Sequence, residues 1–184
     1  NPDAWWQAAA RVTRSVVGQA AVPPGSIAAV GLSGQMHGLV LLGTDRRPVR
    51  PAIIWPDQRS ASEVARAAAT VGLPRLGRLA GNRLATGFAA ASLLWLQAHE
   101  PDAVAAADCL LLPKDYVRLQ LTGQVGTDPS DASGTLLFDV AKGRWSPELL
   151  HEWRLPHWLL PPLLGSSEVA GDLLRAAGAT ERLI

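Results

Sequence analysis

The stretch "GLSGQMHGLVLL", residues 31–42, decides how the chain is read. An apolar run ends at Ser33, then Gly34, Gln35, Met36, His37 and Gly38 follow, and a second apolar run begins at Leu39. An ordinary turn uses Asn, Asp, Gly or Pro, which tolerate left-handed backbone or pre-set φ. Here an amide, a thioether and an imidazole stand between two glycines. Together with the residues before it, "IAAVGLS" (27–33) predicts a buried strand, short, apolar and bounded by turn signals. The run after it opens a hairpin over 38–55, with Thr44 to Pro48 as the polar loop. In open α/β sheets ligands bind beyond the carboxyl ends of strands, which is where Gln35 to His37 fall. Two readings stand. Gln35 and His37 offer donors and acceptors to a polyhydroxyl ligand, with Gly34 and Gly38 letting the backbone approach it; or they satisfy buried backbone groups at a turn. The pattern by itself favours the second.

Working outward, the chain alternates helical and strand signals. "NPDAWWQAAARVTRSVV" opens a helix capped by Asn1 or Asp3 with Pro2 in its first turn, and Trp5, Ala9, Val12 and Val16 form its apolar stripe. "AVPPGS" (21–26) breaks it. Ser60 and Glu63 fit a capping box for a helix continued by Val64, Ala67, Ala68 and Val71. Residues 73–88 are Gly- and Arg-rich, an irregular segment with a short helix near its start, and 89–100 is apolar nearly all round, a buried helix with Trp95 in the core. "ADCLLL" (107–112) is a second buried strand. Pro113 opens a helix that Gly123 ends. "TDPSDASGT" (127–135) is a turn-rich loop, "LLFDV" a short strand, and Ser146-Pro147 a cap and first helical position. The tail carries a proline break, a short strand near Glu168 and a last helix. The alternation argues an α/β fold.

Composition narrows the function classes. The 184 residues are 48% hydrophobic and 18% charged, with a net charge of +1 and no run of Lys and Arg. Nothing there points to nucleic acid or to a membrane surface. The single cysteine, Cys109, rules out an internal disulfide framework and suits a reducing, cytoplasmic setting. His37, His99, His151 and His157 do not pair at i, i+4 or fall at ligand spacing from Cys109, so no metal site is expected. Neither a G-x-x-x-x-G-K-[ST] loop, nor G-x-G-x-x-G, nor a G-x-S-x-G elbow is present. Two acidic loops remain. Asp57 and Arg59 in "WPDQR" (55–59) read as a surface turn before the capped helix, and Asp131 in "SDAS" (130–133) as a helix cap or an Asx-turn.

The ordered set "SGQMHG", "WPDQR", "LPKDY" and "SDASGT", embedded in "LAGN…GF…LLWLQAHEPD" and "LLFDVAKGRWSPELL", resembles the xylulokinase branch of the FGGY family of carbohydrate kinases over nearly the whole chain. The resemblance implies an incomplete N-terminal domain of the actin-like, ribonuclease-H-like fold, spanning residues 1–184. It implies a kinase that uses Mg-ATP to phosphorylate a ketopentose, D-xylulose first. Gln35, Met36 and His37, with the loop of Thr86, Gly87 and Phe88, would contact the sugar; Asp57, Arg59 and Asp131 would support the cleft. The family's phosphate motif, Gly-x-Asp-x-Gly-Thr, belongs upstream of "NPDAWW", and its catalytic Asp belongs beyond Ile184. So no catalytic residue is assigned here, the chain alone is expected to bind no nucleotide and to be inactive, and the 27–33 edge is expected to self-associate. Ser92 departs from a lysine usual before "LLW". The alternatives are a non-catalytic sugar-binding or interaction module and a kinase for another ketose.

Overall fold

A two-stranded antiparallel ladder sits at the centre. The computed structural model describes residues 1–174. Strand β1 (Val40–Leu42) pairs with β2 (Cys109–Leu111), Val40 opposite Leu111 and Leu42 opposite Cys109. The expected hairpin extends it: Leu39 and Ile53 exchange backbone hydrogen bonds, Val49 N donates to Leu41 O at 3.0 Å, and Gly43 N donates to Arg47 O across the polar turn. Successive side chains of a strand point to opposite faces. Leu39, Leu41, Ile53 and Leu110 therefore enter one core, while Val40, Leu42, Cys109 and Leu111 enter another. Both faces are covered, which is why the strands read as unbroken apolar runs and not as alternating ones.

The larger core is closed by α2 (Ala61–Val71), α3 (Leu73–Ala80), α4 (Ala89–His99) and α8 (Pro147–Glu152). The smaller one is closed by α1 (Pro2–Ala20) and α6 (Pro113–Thr122), whose Tyr116 hydroxyl donates to Asp3. Short elements complete the chain: α5 (Pro101–Ala105), α7 (Pro129–Ser133), and a hairpin of β3 (Phe138–Asp139) with β4 (Arg144–Trp145). Local end signals are obeyed. Asn1 accepts from Asp3 N at 3.0 Å, Ser146 Oγ accepts from Leu149 N, and Gly123 ends α6 at φ 70°. Among the described residues no helix is long and apolar enough to cross a membrane.

Several expectations are corrected. Residues 27–33 are not a buried strand: they make no backbone hydrogen bond among the described residues, and Ala28 to Ser33 are exposed. An apolar run becomes a buried strand only where neighbours pair with its edges and cover its faces. Here it borders a cleft of about 870 Å³, with residues 164–173 on the far side. The capping box does not form: Ser60 caps α2 without a side-chain hydrogen bond, and the Glu63 carboxylate goes to Ser62, Arg66 and His99 in place of Ser60 N. Val12 and Val16 are 61% and 58% exposed, so α1 is covered only over its first half, from Pro2 to Ala10. The 127–135 loop contains the helical turn α7, capped by Asp128. No strand forms near Glu168 among the described residues; the nearest pairing is the Thr127–Leu163 bridge. Trp95 is half-buried, packed against the core rather than inside it. The last helix lies outside the described residues.

Candidate functional site

The two glycines of "GQMHG" mark close approaches. A Cβ on Gly38 would come within 2.7 Å of Pro113 Cγ, and one on Gly34 within 3.3 Å of Lys114 Cβ. The segment thus lies against the first turn of α6. Between them the chain turns within three residues: Gly38 N donates to Met36 O at 2.9 Å, with His37 at φ 67°. That is a γ-turn of the rare positive-φ kind, on a residue with a side chain. Strained backbone of this sort costs of order 1–3 kcal/mol and persists only where surrounding contacts fix it.

Those contacts are present. His37 Nδ1 is 2.9 Å from Gly134 O, and the ring packs on Phe88 at 4.1 Å between centroids, tilted by 35°. A carbonyl can only accept, so in the neutral ring Nδ1 carries the proton and Nε2 keeps its lone pair. Phe88 precedes α4 and follows Gly87, which sits at φ 82° with its α-carbon turned to the Trp55 carbonyl; a Cβ there would lie 2.0 Å from that oxygen. Beside it, Thr86 Oγ1 donates to Gln58 Oε1 at 2.5 Å. Trp55 is 56% exposed, Met36 is 58% exposed, and Gln35 is half-buried with no hydrogen bond among the described residues. The fold therefore groups His37 with Thr86, Gly87 and Phe88, and adds Trp55, Gln58 and Gly134, which the sequence reading did not single out. An exposed indole beside a polar turn was visible in "IIWPDQ" only as an apolar residue at a strand end.

Asp57 and Arg59 stand on the same turn as Trp55 and Gln58. Asp57 accepts from Arg59 N at 3.0 Å and from Arg59 Nε at 2.9 Å, and the guanidinium lies over the Trp95 ring at 4.8 Å. The hydrogen bond from Arg59 holds the Asp57 carboxyl below its ordinary range.

Asp131 belongs to a second cluster on the wall of the 870 Å³ cleft. Lys114 Nζ is ringed by Asp128 at 2.6 Å, Asp115 at 2.9 Å and Asp131 at 3.1 Å. Burial alone would lower the Lys114 pKa, but the three carboxylates raise it above the usual range. Asp115 is fully buried and its carboxyl is pushed up by that burial despite Lys114, whereas in Asp128 the bonds from Lys114 and Ser166 outweigh burial and hold it low. The three carboxylates approach within 4.8 Å of one another, as a metal site would require, but an ammonium already fills their centre. Ser92 is buried in α4, one turn beyond Phe88. Burial pushes the Cys109 thiol up to about 12, an inert and not a nucleophilic cysteine.

Residues 1–181 match the FGGY family of carbohydrate kinases, N-terminal domain. The chain is 42% identical over 174 residues to the xylulose kinase of Escherichia coli (strain K12), covering 95% of this chain and 35% of that one. Its fold superposes with a TM-score of 0.88 on the crystal structure of a "xyloylose kinase" from Brucella ovis, 38% identical, covering 95% of this chain and 36% of that one. With the gluconate kinase from Lactobacillus acidophilus the TM-score is 0.86 at 25% identity, over 95% of this chain and 35% of that one. The chain belongs to the FGGY family of carbohydrate kinases, and its fold is the actin-like, ribonuclease-H-like one of that family's N-terminal domain. It spans about a third of the length of the curated relatives it matches.

Proposed function

We propose that this chain supplies the sugar-binding side of a kinase that transfers the γ-phosphoryl group of ATP to a ketopentose, D-xylulose first. The observation that carries the reading is the His37 turn. A strained backbone is held against Gly134, Phe88 and the first turn of α6, with Nδ1 engaged and Nε2 without a partner among the described residues, an acceptor for a hydroxyl. A sugar needs such acceptors around its rim and an apolar surface along its carbons. Gln35 supplies a further amide, Thr86 a hydroxyl, and Trp55 and Met36 exposed apolar surface. The backbone of Gly87 lies at the junction of both loops. The relatives named xylulose kinase favour D-xylulose among ketoses.

Phosphoryl transfer is mostly positioning and charge stabilisation around the moving group. The residues of this chain do not fit Mg-ATP. Among the described residues the one carboxylate cluster already holds the Lys114 ammonium at its centre, and the sequence holds no phosphate-cradling loop. This chain's part is to bind and orient the sugar hydroxyls, and alone it is expected to release no ADP. The test is a coupled ADP-release assay on the full-length protein across ketoses and glycerol. D-Xylulose is expected to give the highest kcat/KM. A strong preference for glycerol, or no turnover of any ketose, overturns the reading.

A further inference from the structure

Trp95 lies in α4, which begins just after Phe88. Three groups form a stack there. The Arg59 guanidinium covers the Trp95 ring at 4.8 Å, and His99, one turn further along, stacks on Trp95 at 4.8 Å with 20° between the planes. His99 Nε2 reaches Glu63 Oε1 of α2 at 3.3 Å, and that buried carboxylate also accepts from Arg66 at 2.7 Å. Trp95 packs against the larger core but stays half-buried, and His99 is exposed, so core packing alone does not account for the arrangement. What the stack does fix is Arg59. The side-chain hydrogen bonds of Arg59 go to Asp57, on the turn that presents Trp55 to Gly87 and Gln58 to Thr86.

We propose that Trp95 and His99 are positioning residues for the sugar pocket, holding the 54–59 turn against the Thr86–Gly87 loop through Arg59. The inference rests on the sugar-site reading above. An arginine over an indole at a partly exposed site contributes about 1 kcal/mol, equivalent to about five-fold in affinity. In the full-length protein, Trp95→Leu keeps apolar bulk and removes the π face. It is expected to raise the ketose KM about five-fold and leave the ATP KM unchanged. Trp95→Phe, which retains a ring, is expected to stay within about two-fold of wild type. His99→Leu, at an exposed position, is expected to raise the ketose KM about two-fold without loss of folded protein. An unchanged ketose KM in both leucine variants, or ketose and ATP KM rising together, overturns the proposal. His37→Ala in the same assay separates the two levels. If it raises the ketose KM while the leucine variants do not, only the positioning role falls; if it too is silent, the sugar-site reading falls and takes this inference with it.

Discussion

Replacing Gly87 by alanine separates two physical effects that meet at the candidate site. The residue sits at φ 82°, where an L side chain is strained, and its added Cβ would fall 2.0 Å from the Trp55 carbonyl oxygen. Left-handed backbone costs an alanine roughly 1–2 kcal/mol. The clash is with backbone, not with the end of a flexible side chain, so the 54–59 turn must move; overpacking of this kind adds roughly 1–3 kcal/mol. The sum is about 2–5 kcal/mol. Gly143 provides the control, since it has φ 63° and no atom within 4 Å of an added Cβ. Gly143→Ala carries the strain alone, roughly 1–2 kcal/mol. Thermal unfolding of the full-length variants is expected to show a drop in midpoint for Gly87→Ala about twice that for Gly143→Ala. Moving the turn also pulls Gln58 from Thr86, so the ketose KM is expected to rise for Gly87→Ala and not for Gly143→Ala. Equal drops in midpoint together with an unaltered ketose KM would refute the reasoning, because the two backbones would then not be in contact at the site.

Other expectations follow from single groups. His37→Ala removes one partner from a polar contact worth about 1–3 kcal/mol, so kcat/KM for the ketose is expected to fall roughly 5- to 150-fold; wild-type kinetics would return His37 to a purely structural turn. Lys114→Met removes the cation shared by three carboxylates, leaving among the described residues only Arg118 at 3.7 Å from Asp115, and is expected to cost about 3–5 kcal/mol at neutral pH, read from thermal melts. The sign with pH is fixed by Asp128, whose folded pKa is lowered. Its contribution is fully present above its unfolded value of about 3.9 and is lost as pH falls through the folded one, so the gap between wild type and variant narrows on acidification. A gap independent of pH would contradict that assignment. The isolated 184-residue chain, with residues 27–33 making no backbone hydrogen bond among the described residues, is expected to associate through that edge in light scattering. A monomer with strong amide protection along 27–33 would rule this out.

What the sequence made legible was whatever is decided within a few residues. Asn1 with Pro2, Pro113 with Gly123, and Ser146 with Pro147 each announced a helix end, and each end forms where expected: at Asn1, Gly123 and Ser146 a cap is satisfied by its own first or last turn, and at Pro113 the fixed φ starts the helix without a side-chain cap. What stayed hidden depends on a partner far along the chain. The Ser60–Glu63 capping box is locally plausible, yet Glu63 is claimed by His99, 36 residues on, which no local rule weighs. Asp131 reads as a cap or a turn, but Asp128 takes the cap and Asp131 faces Lys114, in another motif altogether. Residues 27–33 are apolar in composition, while burial depends on what lies beside them. The site shows the same division most sharply. Glycine at 34, 38, 87 and 134 is plain in the sequence, and each turns out to be a place where a Cβ would crowd another segment: Lys114, Pro113, Trp55 and His37 in turn. A glycine reports that something comes close and says nothing about what. The amide, thioether and imidazole of "GQMHG" stand between glycines because the turn is wedged against α6, and wedging is what obliges His37 to adopt a backbone it would otherwise avoid. The strain and the orientation of Nε2 therefore have one cause: the contacts that force the γ-turn also aim the ring, with Nδ1 on Gly134 and its face on Phe88.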